Sequence, residues 1–146
     1  MAELHRYSLL QSFWQCPRQY GYAAAGYVPA VWPLPVIRGS LVHAGVAAYL
    51  TGKPVHEALA AVATDQLVTG RKMGSDQWEK GAAKVLGEAE ELLGRWIGKY
   101  GQDFTAGAAD TSWEWQDPEG RTYSGHPDAV GKWRGHPAIL ELKTGE

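Results

Sequence analysis

Cysteine is nearly absent from the 146-residue sequence. Cys16 stands alone, so no internal disulfide and no zinc ribbon can form within the chain. Long hydrophobic runs are missing too, and no stretch approaches the about 18 consecutive apolar residues of a membrane helix. The first twenty residues, MAELHRYSLLQSFWQCPRQY, lack the charged start, unbroken apolar stretch and small-residue cleavage site of a secretory signal. The expectation is a soluble cytoplasmic protein with no membrane partner. A basic excess is also lacking: the formal net charge is -2 and the pI near 6.2, which argues against a generally basic nucleic-acid binder. Charge is nevertheless uneven. Residues 1–50 carry Arg6, Arg18 and Arg38 against Glu3 alone, and the last third is acidic, a distribution compatible with a polyanionic substrate.

With 45% hydrophobic residues at this length, the chain can bury a core without metal or disulfide staples, which excludes disorder. No internal repeat or low-complexity tract interrupts it, and one domain over residues 1–146 is expected. Periodicity divides that domain into a helical part, 1–105, and a strand part, 106–146. Ser8 is placed as an N-cap, with Gln11 as capping-box partner and Gly26 as the stop, and Pro17 kinks or splits the helix. Residues 27–39, with four helix breakers, read as an ordered loop. Helices are expected from about Ser40 to Leu50 and from Pro54 to about Thr69. The strongest signal is the stripe Trp78, Ala82, Val85, Ala89, Leu93, Trp96 and Tyr100, with Lys84, Glu88, Glu91 and Arg95 on a solvated opposite face. From Thr111 the pattern becomes TSWEWQ, RTYSGHPDAVGKW and AILEL, three antiparallel strands joined by turns. The fold class is α/β (α+β): N-terminal helices followed by an antiparallel strand meander of a mixed sheet.

Chemistry concentrates in that meander. Asp128 follows Pro127 on one strand, and Glu141 and Lys143 follow on the next, where i, i+2 spacing points both to one face. Asp128 meeting Glu141 across the pair would make an oxygen-rich site for Mg²⁺ or Mn²⁺, with Lys143 beside it. Such a site suits phosphodiester hydrolysis. Each residue also has a plain structural reading. Glu141 and Lys143 would be a surface pair, Asp128 a turn residue, and His43 a hydrogen-bonded core histidine.

The pattern resembles the PD-(D/E)XK nucleases, and within them the RecB-like exonucleases that include CRISPR-associated and phage members. Pro127-Asp128 matches the first motif and Glu141-Leu142-Lys143 the second, continued by Thr144-Gly145. Ser8-Leu9-Leu10, Phe13, Cys16-Pro17-Arg18 and Tyr20 match the N-terminal signature of that branch, and Gly39 to His43 its glycine–histidine element. The resemblance implies a restriction-endonuclease-like core with a central mixed sheet, DNA as substrate, and a metal-dependent exonuclease of the bacterial or phage-infected cytoplasm. It implies a metal shell of His43, Asp128, Glu141 and the Leu142 carbonyl, with Glu114 as a possible additional acid. Arg18, Tyr20 and Arg38 are candidate DNA contacts, although solvation is the plainer reading of the two arginines. Trp14, Trp32 and Trp133 are candidate stacking residues.

Members of the branch continue past Lys143-Thr144-Gly145 with a helix and further strands, so the fold is expected to be incomplete at the C-terminus. Either the chain is a truncated piece of a longer protein, or a homo-oligomer or partner chain supplies the rest, or the protein is a reduced relative. Some relatives hold an iron–sulfur cluster on four cysteines; with Cys16 alone, none is expected in this chain. The alternatives to a nuclease are a catalytically inert nucleic-acid-binding or scaffold module, and one half of a split or oligomeric nuclease.

Overall fold

Prolines decide where the first helices begin and break. The computed structural model describes residues 4–27, 33–71 and 76–144. After a short strand β1 (Leu4–Arg6), helix α1 (Tyr7–Gln15) stops at Cys16, which is extended at φ −158°, ψ 101°, because the residue before a proline avoids the helical region. Pro17 then opens α2 (Pro17–Ala24) from its first turn, where no N–H donor is needed. The same physics corrects the expected loop at 27–39. Helix α3 (Leu34–Leu50) starts six residues before Ser40, with Pro33 as its N-cap and Pro35 in its first turn. Next come α4 (Val55–Arg71), α5 (Asp76–Tyr100), β2 (Phe104–Ala109), β3 (Trp113–Gln116), β4 (Thr122–Gly125), β5 (Ala129–Trp133) and β6 (His136–Leu140). The chain is therefore mixed α+β. No helix among the described residues is long and apolar enough to cross a membrane.

These elements group into two compact units. The first, from residues 1–29 and 111–126, contains β1, α1, α2, β3 and β4. Its three-stranded sheet has the order β1-β4-β3, with β1 parallel and β3 antiparallel to β4. The β3–β4 turn is fastened by Asp117, whose Oδ1 accepts the N–H groups of Glu119 and Arg121 at 3.0 and 2.9 Å and whose Oδ2 accepts Arg121 Nε at 2.6 Å.

The second unit, from residues 30–110 and 127–146, contains α3, α4, α5 and the antiparallel sheet β2-β5-β6. The expected strand RTYSGHPDAVGKW is thus two strands, β4 and β5, in different sheets. Pro127, without an N–H and restricting His126, separates them. Strand β2, rich in small residues and weak in alternation, was not anticipated, nor was β1. Strand β6 ends at Leu140, so Glu141 and Lys143 lie just beyond it, yet alternation continues: Leu142 is buried and both charged residues are exposed.

The core of this unit is the face of α3 that carries Ile37, Leu41 and Val46, against Leu59 of α4 and the α5 stripe Val85, Ala89 and Leu93, with Leu142 joining from the C-terminal segment. At Gly131 of β5, a Cβ would stand 2.1 Å from the Thr105 carbonyl oxygen, beside the irregularity between Ala106 and Ala108. Only a missing Cβ lets β2 approach so closely.

Both this packing and the Asp117 turn have measurable consequences for stability. Leu41 is fully buried, so Leu41→Ala is expected to cost about 2–5 kcal/mol in urea unfolding, and Gly131→Ala about 1–3 kcal/mol through the clash with β2. Burial pushes the Asp117 carboxyl up, but the Arg121 guanidinium and N–H, with the Tyr123 hydroxyl, outweigh it and hold the carboxyl below its ordinary value. A depressed folded-state pKa gives stabilisation that is complete above the ordinary Asp value of about 3.9 and lost as pH falls through the folded-state value. Urea midpoints should therefore fall on acidification below about pH 4, and Asp117→Asn should flatten that limb.

Candidate active site

Pro127 ends the link from β4, and Asp128 sits immediately before β5, whose first residue, Ala129, is fully buried. Anchored this way, the Asp128 carboxylate is only 17% exposed. It receives two partners from different parts of the second unit. The Leu142 N–H donates to Oδ2 at 2.5 Å, tying the segment after β6 to the start of β5. His43, on α3, brings Nδ1 within 2.7 Å of Oδ1. A carboxylate only accepts, so Nδ1 carries the proton in this contact and a neutral ring keeps its lone pair on Nε2.

Glu141 and Lys143 flank Leu142 and pair with each other, Nζ to Oε2 at 3.1 Å. Their side chains are 55% and 85% exposed, so the pair contributes at most about 1 kcal/mol and yields easily to another partner.

Three further residues brace this segment, and the sequence carried no signal for their roles. Arg38, five residues before His43, directs Nη1 to Glu88 Oε2 on α5 at 3.3 Å and donates from Nη2 to the Thr144 carbonyl at 3.3 Å. The sequence pattern puts Glu88 on a solvated helix face, whereas its side chain is 35% exposed and engaged with Arg38. Of the other charges on that face, Arg95 pairs with Glu91 and Lys84 reaches Glu88 at 3.8 Å. Gly39 allows the close crossing of Thr144, whose Oγ1 would stand 2.9 Å from a side chain there.

Glu114, Arg18, Tyr20, Cys16 and Trp14 lie in the first unit. Glu114 is exposed on β3 opposite Ser124. On α2, Arg18 stands 5.9 Å from the Tyr22 ring centroid, and Tyr20 packs edge-on to Phe13 at 5.4 Å. Cys16 is a free, half-buried thiol. Trp14 is 84% exposed, while Trp133, in the second unit, leans on Tyr100 with Arg134 over its ring. Ser8 is the second residue of α1 rather than its N-cap, because the helix already begins at Tyr7; Trp32 and the side chain of Trp78 lie outside what the structure describes.

Comparison with known proteins gives no identity. No protein-family model, curated protein or solved structure matches the chain.

The chemistry of the donor set fits a hard divalent cation, since carboxylate, carbonyl and imidazole groups are the ligands Mg²⁺ and Mn²⁺ accept. Among the described residues, however, no three His, Cys, Asp or Glu side chains cluster as a ready cage. His43 and Asp128 face each other, and Glu141 is turned to Lys143. Binding would require those pairs to part.

Because Asp128 serves two partners, Asp128→Ala is expected to lower stability by about 1–3 kcal/mol. Combined with His43→Ala in a double-mutant cycle, it should reveal a coupling of about 0.5–3 kcal/mol. Urea unfolding of the four proteins measures both, and strict additivity would show that the His43–Asp128 contact contributes nothing.

Proposed function

We propose that the chain is a nuclease domain of the PD-(D/E)XK class, RecB-like branch, hydrolysing phosphodiester bonds of DNA with Mg²⁺ or Mn²⁺, most simply at ends or in single strands. One observation carries this reading. Three sequence-distant motifs meet at one carboxylate: Gly39 to His43, Pro127-Asp128 and Glu141 to Lys143 are joined by the bonds of Asp128 to His43 and to the Leu142 N–H. The antiparallel β2-β5-β6 sheet supports a restriction-endonuclease-like core, with Asp128 before its middle strand and Glu141 just after its last.

In this reading His43, Asp128, Glu141 and the Leu142 carbonyl would hold the cation, which would supply Lewis-acid polarisation of a phosphoryl oxygen, a more acidic water and compensation of charge on the leaving oxygen. The chain's own residues do the rest. Asp128, through the Leu142 N–H, fixes the backbone that presents Glu141 and Lys143. Lys143, released from its exposed pair with Glu141, sets a compact positive charge beside the phosphate where negative charge develops. Arg18 and Tyr20, on α2 of the first unit, are proposed DNA contacts. Arg38 acts by position, since its guanidinium already holds Glu88 and Thr144.

A second reading, an inert nucleic-acid-binding or scaffold module, draws on a different observation. Both Asp128 oxygens already have protein partners, and Glu141 and Lys143 satisfy each other. Such mutual satisfaction is what a site retained only for structure would display.

End-labelled single- and double-stranded DNA, incubated with Mg²⁺, Mn²⁺ or EDTA, separates the two. The nuclease reading expects metal-dependent products from the wild type and a loss of about 10²–10³-fold in Lys143→Ala, the scale of removing one preorganised charge stabiliser. Unfolding midpoints of the two proteins should agree, because the Lys143 side chain is 85% exposed. Folded wild-type protein that binds DNA in EDTA and cuts nothing would transfer the conclusion to the scaffold reading.

A further inference from the structure

A groove of about 390 Å³ opens between α3 and α5 along the Leu142–Thr144 segment, within the few-hundred-Å³ range of small-molecule sites. Its walls alternate in character. Arg38 and Val42 stand one turn apart on α3, Leu92 and Trp96 one turn apart on α5, and Leu142 and Lys143 supply the third side. None of the chemistry above uses Leu92 or Trp96. The ion pair of Arg38 with Glu88 and its bond to the Thr144 carbonyl brace one side, the middle is apolar, and Lys143 is the most exposed of the charged residues around it.

The make-up of the lining selects the occupant. Arg38 is engaged by Glu88 and the Thr144 carbonyl, Lys143 has only its exchangeable pair with Glu141, and the rest of the lining is mostly apolar side chains and an indole. Tyr49 meets that indole edge-on, with centroids 6.4 Å apart, and Tyr100 leans on it at 6.4 Å. Such a ring is held rigidly, as a flat uncharged partner requires. The groove and the Asp128 centre share walls. The Leu142 side chain lines the groove while its N–H binds Asp128, and Val42 directly precedes His43.

We propose that this groove receives one nucleoside of the DNA strand, with its base against Trp96 and Leu92, while the adjoining phosphate lies at Asp128 and Lys143. The proposal rests on the nuclease reading and deepens it. A base enters such a groove only when unpaired and unstacked, so the site selects single strands and frayed ends over blunt duplex. Trp96 and Leu92 are then specificity-determining residues that touch the strand beside the bond to be cut.

The test compares affinities, by fluorescence anisotropy in EDTA, for a short labelled oligodeoxynucleotide and for a blunt duplex of the same length. Leu92 is 37% exposed, so Leu92→Trp fills the groove without repacking the core. The expected result is a fall of about tenfold in the ratio of single-strand to duplex affinity, the scale of one lost base–aromatic stack. Trp96→Phe, which keeps a ring beside Tyr49 and Tyr100, should move the ratio the same way by less. Glu90→Trp, adding an indole on the exposed face of the same helix, should leave it unchanged. A ratio that Leu92→Trp does not alter overturns the proposal. Cleavage assayed in parallel with Mg²⁺ or Mn²⁺ scores the nuclease reading separately. Groove-dependent binding without cleavage keeps the pocket and removes the nuclease, whereas cleavage by Leu92→Trp with an undiminished single-strand preference removes the pocket and keeps the nuclease.

Discussion

Asp128 accepts hydrogen bonds from partners 85 and 14 residues away in the chain, and the candidate site depends on that double attachment. Through the Leu142 N–H it fixes the backbone beyond β6; through His43 it connects that backbone to α3. Neither bond is local, so both form only once α3 has docked and the β5–β6 hairpin has closed. A carboxylate at 17% exposure without these donors would bear part of the cost of an unsatisfied, partly buried charge. Satisfaction of Asp128 therefore reinforces the fold and the site at once.

Around this attachment the second unit divides firmness and freedom. Ile37, Leu41, Val46 and Leu93 are almost wholly buried and hold α3 against α5, and Leu142 inserts its side chain into the same core. Arg38 adds a polar brace from α3 to α5 and to Thr144. Glu141 and Lys143 flank the buried Leu142 yet remain open to solvent, joined only by a pair of low net worth. Rigid backbone carrying exchangeable side-chain partners is what an ion-binding and phosphate-binding site requires. Mutual pairing of the same side chains is equally what makes a metal-free arrangement self-sufficient.

Helices were the legible part of the fold. The stripe from Ala82 to Leu93 forecast α5 because 3.6-residue spacing reports directly which face is buried. The sequence pattern puts the start of α3 too late because prolines read as breakers, whereas Pro33 and Pro35 occupy positions that need no donor. The run from Arg121 to Trp133 looked continuous since alternation says nothing about which sheet a strand joins. Pro127 makes the division, and β2, with little but small residues after Phe104, gives almost no periodic signal.

The sequence by itself determined the helical stripes, the break at Pro17, the two motif segments around Asp128 and Glu141, and the order in which His43, Asp128 and Lys143 occur, because these are properties of near neighbours. Tertiary structure alone decided that His43 and Asp128 would touch, that Glu88 would leave the solvated face to meet Arg38, and that Gly39 would sit where Thr144 crosses. It alone also assigned β4 and β5 to different sheets and opened the groove beside Trp96. The reason is physical. Propensity and periodicity act within a few residues, whereas contacts between residues 50, 85 and 106 positions apart exist only after the packed core has fixed the directions of the elements that bear them.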